Sequence, residues 1–103
     1  MGLNSDSSVN RLKGSSRPIM SQIEREYALQ ACKYVDEVHI FEQDTPLELI
    51  EKLRPDFIVK GAEFRKEDVI GLGIAEVLLF KGPFDISTTQ IIHRIERGGA
   101  LAD

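Results

Sequence analysis

Short apolar runs alternate with helix-start signals along this chain, and this alternation limits the folds it can adopt more than any single motif does. The apolar runs are Met1–Asn4, Glu37–Phe41, Phe57–Lys60 and Ala75–Phe80. Runs this short, bounded by turn and cap residues, are typical of buried strands rather than of helices. Strands that alternate with helices form parallel sheets through right-handed crossovers. The sequence therefore predicts an α/β fold built on an open parallel sheet with helices on both faces.

Capping boxes, in which Ser or Thr is followed three residues later by Glu or Gln, predict where the helices begin. The expected helices are Ser21–Lys33, Thr45–Leu53 and Ser87–Arg97. The first has Ile23 and Tyr27 on one apolar face. The third has Ile86 placed to pack on Ile91 as a hydrophobic staple, and it is expected to stop at Gly98.

Composition narrows the class of protein. The chain has 103 residues, 42% hydrophobic and 29% charged, which predicts one soluble globular domain over residues 1–103. The formal net charge of −4 argues against broad affinity for nucleic acid or anionic membranes. No apolar stretch reaches the roughly 18 residues of a membrane span, so a cytoplasmic location is expected. The single cysteine, Cys32, cannot form an internal disulfide and is predicted to be a small core residue on a helix.

Polar segments follow the ends of the predicted strands. In open parallel sheets, ligands bind beyond the carboxyl ends of the strands. The segments expected along that edge are 4–6 ("NSD"), 60–61 ("KG") and 81–89. In the third, Ser87, Thr88 and Thr89 would place hydroxyl groups at a helix N-terminus, where unpaired N–H groups attract anions.

Each of these features also has an ordinary structural explanation. Ser87 fits a plain helix cap, and Lys60 fits a solvated charge at a strand end. The stretch "KGSS" at residues 13–16 fits a turn, and it lacks the spacing of a P-loop. His39 and His93 are too isolated in sequence to predict a metal centre.

A wider resemblance favours the ligand-binding interpretation. The segments that carry it are, in order, "GLNSDSSVNRLKG", "RPI", "ERE", "YVDEVHIF", "DTPLELIEKLRPDFIVKG" and "ISTTQIIHRI". Over about residues 2–98 the chain resembles the cytidylyltransferase-like nucleotidyltransferases, in particular the adenylyltransferase domain that acts on heptose 1-phosphate in lipopolysaccharide core-sugar synthesis. The resemblance implies a Rossmann-like sheet of the nucleotidyltransferase type. It also implies transfer of a nucleoside monophosphate from ATP or CTP to a sugar phosphate, with release of pyrophosphate and usually with Mg²⁺.

The resemblance assigns roles to individual residues. Lys13 matches the lysine that neutralises nucleotide phosphates and the charge of the transition state, and is the one catalytic residue assigned. The other residues assigned to phosphate or nucleotide binding are Arg25, Lys60, Gly61, Ser87, Thr88 and Thr89. Segment 4–6 is expected to be mainly structural. No metal ligand is assigned.

The departures from the family pattern concern the reaction centre. The Gly-x-Phe-Asp and His-x-Gly-His segments of these enzymes do not occur in this sequence. The family's first strand and first helix are therefore expected to be lacking, and in the family's strand order, 3-2-1-4-5, that strand is central. Two half-sheets with free facing edges are expected, which a second copy or another segment would complete.

Three hypotheses remain open at this point. The first is a nucleotidyltransferase whose reaction centre is incomplete in this chain, which predicts little turnover. The second is a non-catalytic nucleotide- or phosphate-binding module. The third is a dimerisation domain in which two chains complete one sheet.

Overall fold

Strands and helices alternate along the chain as the sequence predicts. The computed structural model describes residues 1–83 and 87–102. Its strands are β1 (Gly2–Asn4), β2 (His39–Phe41), β3 (Phe57–Gly61) and β4 (Glu76–Phe80). Its helices are α1 (Asp6–Lys13), α2 (Gln22–Gln30), α3 (Leu47–Leu53) and α4 (Thr88–Ala102), with a short 3-10 turn at Lys66–Asp68. All four predicted strands are confirmed to within two residues.

The strands form two separate parallel pairs. Strand β1 pairs with β2, with Leu3 opposite Ile40, and β3 pairs with β4, with Val59 opposite Leu78. Within residues 1–83 and 87–102 no sheet hydrogen bonds join one pair to the other. The predicted α/β class is confirmed, and so is the division of its sheet into two halves.

Helix α3 packs against both sheets through neighbouring residues. Leu49 Cδ2 lies 3.2 Å from the point that a methyl group on Gly2 of β1 would occupy. Ile50 is 8% exposed, and its Cδ1 lies 3.0 Å from the corresponding point at Gly71, in the loop before β4. The core is small: Phe41, Val69 and Val77 are the other large apolar side chains that are buried among the described residues.

The molecule is elongated, which agrees with this small core. Its principal extents are 51 × 28 × 27 Å and its Cα radius of gyration is 15.6 Å. A compact domain of this length would have a radius of gyration of about 13 Å. Phe57 and Val59, which lie on the same face of β3, are 54% and 61% exposed, so the described elements leave that face largely uncovered.

Two of the three predicted capping boxes are confirmed. Ser21 Oγ accepts a hydrogen bond from the Glu24 N–H (3.2 Å), and the Glu24 carboxylate accepts one from the Ser21 N–H (2.9 Å). The box at Ser87 closes in the same way. The box predicted at Thr45 is wrong: the helix begins one residue later, at Leu47, so the N-cap is Pro46, which has no side-chain acceptor, and the Glu48 carboxylate accepts from the Gln43 amide. The predicted staple between Ile86 and Ile91 lies outside the described residues.

Helix lengths differ from the predictions at several places. Helix α2 ends at Gln30 rather than Lys33, and α4 continues through Gly98 to Ala102. Helix α1 is not predicted at all, because it has no apolar periodicity. It begins with Ser5 as N-cap, and its buried Ser8 donates a hydrogen bond to the Gln43 carbonyl at 2.8 Å. Polar side chains, rather than an apolar face, therefore hold this helix in place.

The apolar face predicted for α2 does not enter the core. Ile23 is 75% exposed and Tyr27 is 77% exposed. The prediction for Cys32 is also wrong, because its thiol is exposed and the residue lies in the turn after α2. Among the described residues no helix combines the length and apolar character needed to cross a membrane.

Candidate functional site

The hydroxyl run at residues 87–89 begins helix α4. Ser87 Oγ accepts a hydrogen bond from the Gln90 N–H (3.2 Å), and the Gln90 amide oxygen accepts one from the Ser87 N–H (3.1 Å). The Ser87 hydroxyl is therefore engaged in capping the helix. Thr88 and Thr89 are exposed in the first turn, where the helix supplies no partner for backbone N–H groups. These two residues are the part of the run that is available to an anion.

Arg17 connects this run to the opposite half of the chain. Its guanidinium Nη2 donates to Thr89 Oγ1 at 3.4 Å, across 72 residues of sequence. The loop that holds Arg17 is fixed by its own backbone bond to Gly14 (3.1 Å) and by Asn10 Nδ2, which donates to the Arg17 carbonyl at 3.3 Å. The loop after α1 and the start of α4 are thus neighbours in space.

Lys13 is the last residue of α1, next to that loop. Its side chain is exposed and forms no hydrogen bond or ion pair with any residue in 1–83 or 87–102. The helix ends there because Gly14 takes φ 101°, a conformation that favours glycine, and its N–H bonds to the Asn10 carbonyl. Lys13 therefore lies at the end of α1, four residues before Arg17, and no described residue compensates its charge.

Lys60 and Gly61 lie at the carboxyl end of β3, and the residues after the strand cover them. The Lys60 Nζ sits 4.3 Å from the centre of the Phe64 ring, a cation–π contact. A methyl group at Gly61 would overlap the carboxylate of Glu63. A phosphate that approached the Gly61 backbone would therefore displace the Glu63 side chain, which is exposed and flexible.

Arg25 is held in the structure by two protein acceptors. Its guanidinium donates to Asp6 Oδ1 and to the Met20 carbonyl, each at 3.0 Å. The Arg25 side chain is 21% exposed, less than that of any other cation in an ion pair here. Asp6 is further fixed through its N–H, which donates to the Gln22 amide oxygen at 2.9 Å. Arg25 therefore ties α1 to α2, and only its remaining N–H groups could contact a phosphate.

The "NSD" segment makes contacts of a structural kind. Asn4 Nδ2 donates to Ser8 Oγ (3.0 Å), and Ser5 Oγ accepts the Ser8 N–H (3.2 Å). The Ser5 N–H donates to the Phe41 carbonyl at the end of β2 (2.9 Å). These bonds join the end of β1 to the start of α1 and to β2.

In the part of the chain that is described, no direct hydrogen bond joins Lys13, the pair Lys60 and Gly61, and the run at 87–89 to one another. The contact between Arg17 and Thr89 joins the loop that follows Lys13 to the run at 87–89. Lys60 and Gly61 group with the end of β4, where the Ala62 N–H donates to the Phe80 carbonyl at 2.9 Å. Arg17 was not assigned from the sequence. Its only sequence signal is its position in the "RPI" segment, between Lys13 and Arg25.

The described residues do not supply a protein-built metal site. No group of three His, Cys, Asp or Glu side chains in 1–83 and 87–102 could hold an ion. His39 lies on β2, and its Nε2 is 3.0 Å from Oε2 of Glu37, two residues before it. The Mg²⁺ that the resemblance implies therefore does not fit a cage built of the described side chains. In nucleotide-dependent enzymes this ion is held largely by substrate phosphates.

A concavity of about 410 Å³ lies along α4, lined by Gln90, His93, Arg94, Glu96 and Arg97. The described lining residues all belong to this one helix, and Gln90 among them is the residue that closes the capping box with Ser87.

Comparison with known proteins identifies the family that this sequence matches. Residues 1–94 match the family model described as "Cytidylyltransferase-like". The chain is 50% identical over 97 residues to "Bifunctional protein HldE" of Campylobacter curvus (strain 525.92), covering 93% of this chain and 21% of the relative. It is 47% identical over 98 residues to the protein of the same name from Helicobacter pylori (strain Shi470), covering 94% of this chain and 21% of the relative.

A third relative matches over a similar extent. "Bifunctional protein HldE" of Syntrophotalea carbinolica is 46% identical over 102 residues, covering 92% of this chain and 20% of the relative. The chain therefore spans about a fifth of the length of the curated relatives it matches. The family match covers almost the whole chain and includes every residue assigned above, so the chain belongs to the cytidylyltransferase-like family.

Proposed function

We propose that this chain is the phosphate-holding part of a nucleotidyltransferase. The complete reaction would transfer a nucleoside monophosphate, AMP from ATP, to a sugar phosphate such as heptose 1-phosphate, and release pyrophosphate. The observation that carries the proposal is the first turn of α4 within the family match: Thr88 and Thr89 are exposed there, next to N–H groups without helical partners.

The chemistry of nucleotidyl transfer suits a site of cations and donors. Such a reaction needs little covalent participation by the protein, and positioned positive groups supply most of the barrier reduction. In this proposal Lys13 neutralises phosphate charge, while Thr88 and Thr89 hold phosphate oxygens. Lys60 and Gly61 approach the substrate at the end of β3 once Glu63 moves aside. Arg25 adds positive potential while it remains bound to Asp6.

Calorimetric titration of the purified chain with ATP and with CTP tests the proposal. The chain should bind a nucleoside triphosphate, with ATP preferred, and the double variant Lys13→Ala, Thr88→Ala should weaken binding by at least about tenfold. The matched control is Lys52→Ala, since Lys52 is an exposed lysine in the last turn of α3 and is not assigned to the site. Its affinity should equal that of the unsubstituted chain. A folded chain that binds neither nucleotide would contradict the proposal.

A second candidate function is supported by the same exposed hydroxyl groups of Thr88 and Thr89, since they could hold phosphate whether or not transfer follows. It is a binding module that holds nucleotide phosphates without catalysing transfer. The two candidates share the binding prediction and differ in turnover. Activity that appears when a separate polypeptide bearing the His-x-Gly-His motif is added would favour the transferase over the module.

The unpaired sheet edges lead to a proposal about partners. Since β1 and β3 each have one edge without a described partner strand, another segment or a second copy of the chain could add a strand there. Sedimentation velocity distinguishes the two, because pairing between copies requires a dimer. A stable dimer that shows no response to nucleotide would instead favour a dimerisation domain.

A further inference from the structure

Arg17 is a half-buried cation whose described surroundings contain no anion. Its side chain donates to one neutral hydroxyl, Thr89 Oγ1, at 3.4 Å. In residues 1–83 and 87–102 no carboxylate lies within ion-pairing distance of it, whereas Arg11, Arg25 and Arg65 each pair with an acid. A guanidinium has five N–H donors, and one long bond to a hydroxyl satisfies little of that capacity. A partly desolvated cation is stabilised by a nearby anion.

The bond between Arg17 and Thr89 leaves donors available on both residues. The Thr89 oxygen accepts from the guanidinium, so its own O–H proton remains free to donate. The guanidinium retains its other N–H groups, which are arranged to bind phosphate oxygens in pairs. Two residues from distant parts of the sequence thus present donors together, and the described residues add no acceptor that would compete with an anion.

We infer that Arg17 is a further phosphate-binding residue, and that its guanidinium and the Thr89 hydroxyl together hold one phosphate group of the nucleotide. The inference rests on the proposed function and adds a residue to it. It also gives the contact between the loop after α1 and the start of α4 a role in binding: the phosphate is the anion that Arg17 and Thr89 share. The same chemistry would recognise the phosphate of a sugar 1-phosphate, so the experiment separates the two sources.

The test is calorimetric titration of the full chain and its variants with ATP and, separately, with mannose 1-phosphate. Arg17→Gln should weaken ATP binding about 10- to 100-fold, the loss expected for a charge-assisted hydrogen bond. Arg17→Lys should recover part of that loss, because it restores the charge but not the two-pronged geometry. Thr89→Val in the Arg17→Gln background should add little further loss, because the two residues act on one phosphate. The matched control is Arg11→Gln, which should leave ATP affinity unchanged. Arg11 lies within α1, and its guanidinium pairs with Asp44, in the loop before α3.

A purely structural tie between Arg17 and α4 makes a different prediction. Arg17→Gln would then lower the melting temperature and leave the affinity of the folded chain for both ligands unchanged, which would overturn the inference. Weaker mannose 1-phosphate binding with unchanged ATP binding would also overturn the assignment to the nucleotide. Absence of ATP binding by the unsubstituted chain would contradict the proposed function and this inference with it. Normal binding in Arg17→Gln would contradict only the inference.

Discussion

The guanidinium of Arg25 donates to the Asp6 carboxylate at 3.0 Å, and this pair joins the first turn of α1 to the first turn of α2. Arg25 is the less exposed partner, at 21% against 44% for Asp6. The residue assigned to phosphate binding is therefore also part of the scaffold. The two roles can be separated by changing each partner in turn.

Asp6→Asn should lower the free energy of unfolding by about 1 kcal/mol and leave nucleotide affinity nearly unchanged, because it removes the ion pair but not the Arg25 cation. Arg25→Ala should produce a similar loss of stability and also weaken ATP binding. Urea unfolding and calorimetry measure the two quantities. If both variants bind ATP as tightly as the unsubstituted chain does, Arg25 is a structural residue and not part of the binding site.

The capping box of α2 should make that helix sensitive to acid. Hydrogen bonds from the Ser21 backbone N–H and side chain hold the pKa of Glu24 below its ordinary value of 4.5. A carboxylate with a lowered pKa in the folded state contributes stability above its unfolded pKa, and that contribution is lost as the pH falls through the lower, folded value. Carbon-detected NMR titration should show Glu24 ionising below 4.5, and Ser21→Ala should move its pKa upwards. Since Ser21→Ala keeps the backbone N–H, an unchanged titration curve would show that the Ser21 hydroxyl does not contribute to the lowered pKa of Glu24.

Local hydrogen-bonding chemistry made part of this fold predictable. The boxes at Ser21 and Ser87 depend on atoms three residues apart, so a local sequence pattern can predict them. The Thr45 box has the same pattern but does not form, because the helix begins after Pro46, which has no side-chain acceptor. Helix α1 escapes prediction because it is short and mostly polar, and the bond that fixes it, from Ser8 to the Gln43 carbonyl, spans 35 residues.

The same distinction between local patterns and contacts between distant residues applies to the candidate site. The hydroxyl run and Lys13 could be assigned because they match contiguous motifs of a family. The contact between Arg17 and Thr89 spans 72 residues and depends on how the loop after α1 meets α4, which no periodicity encodes. Likewise, the position of Glu63 over Gly61 follows from the turn after β3, and the "KG" pair gives no indication of it.

Substitutions at two glycines before β4 allow the cost of backbone strain to be measured apart from the cost of packing. Gly71 and Gly73 both have φ 98°, but a methyl group at Gly71 would lie 2.5 Å from Ile58 Cδ1, whereas at Gly73 it would contact nothing within 4 Å. Gly73→Ala should therefore cost about 1–2 kcal/mol of unfolding free energy through backbone strain alone. Gly71→Ala should cost about 2–5 kcal/mol, because overpacking against the core adds to that strain. Urea unfolding of both variants measures the difference, and equal losses would show that Gly71 does not face the core in solution.

The isolated chain should show little or no nucleotidyl transfer even where it binds ATP. Its 103 residues contain no His-x-Gly-His segment, and neither histidine lies where it could replace one: His39 is on β2, paired with Glu37, and His93 is within α4. Lys13 and the hydroxyl run can hold phosphates but do not supply the groups that the family uses at the reaction centre. Pyrophosphate release from ATP plus heptose 1-phosphate, followed in a coupled assay, should stay at the level of the buffer blank. The control is Thr88→Ala assayed in parallel. Robust release by the unsubstituted chain that disappears in Thr88→Ala would show that this chain catalyses the reaction unaided, by a route that does not use those histidines.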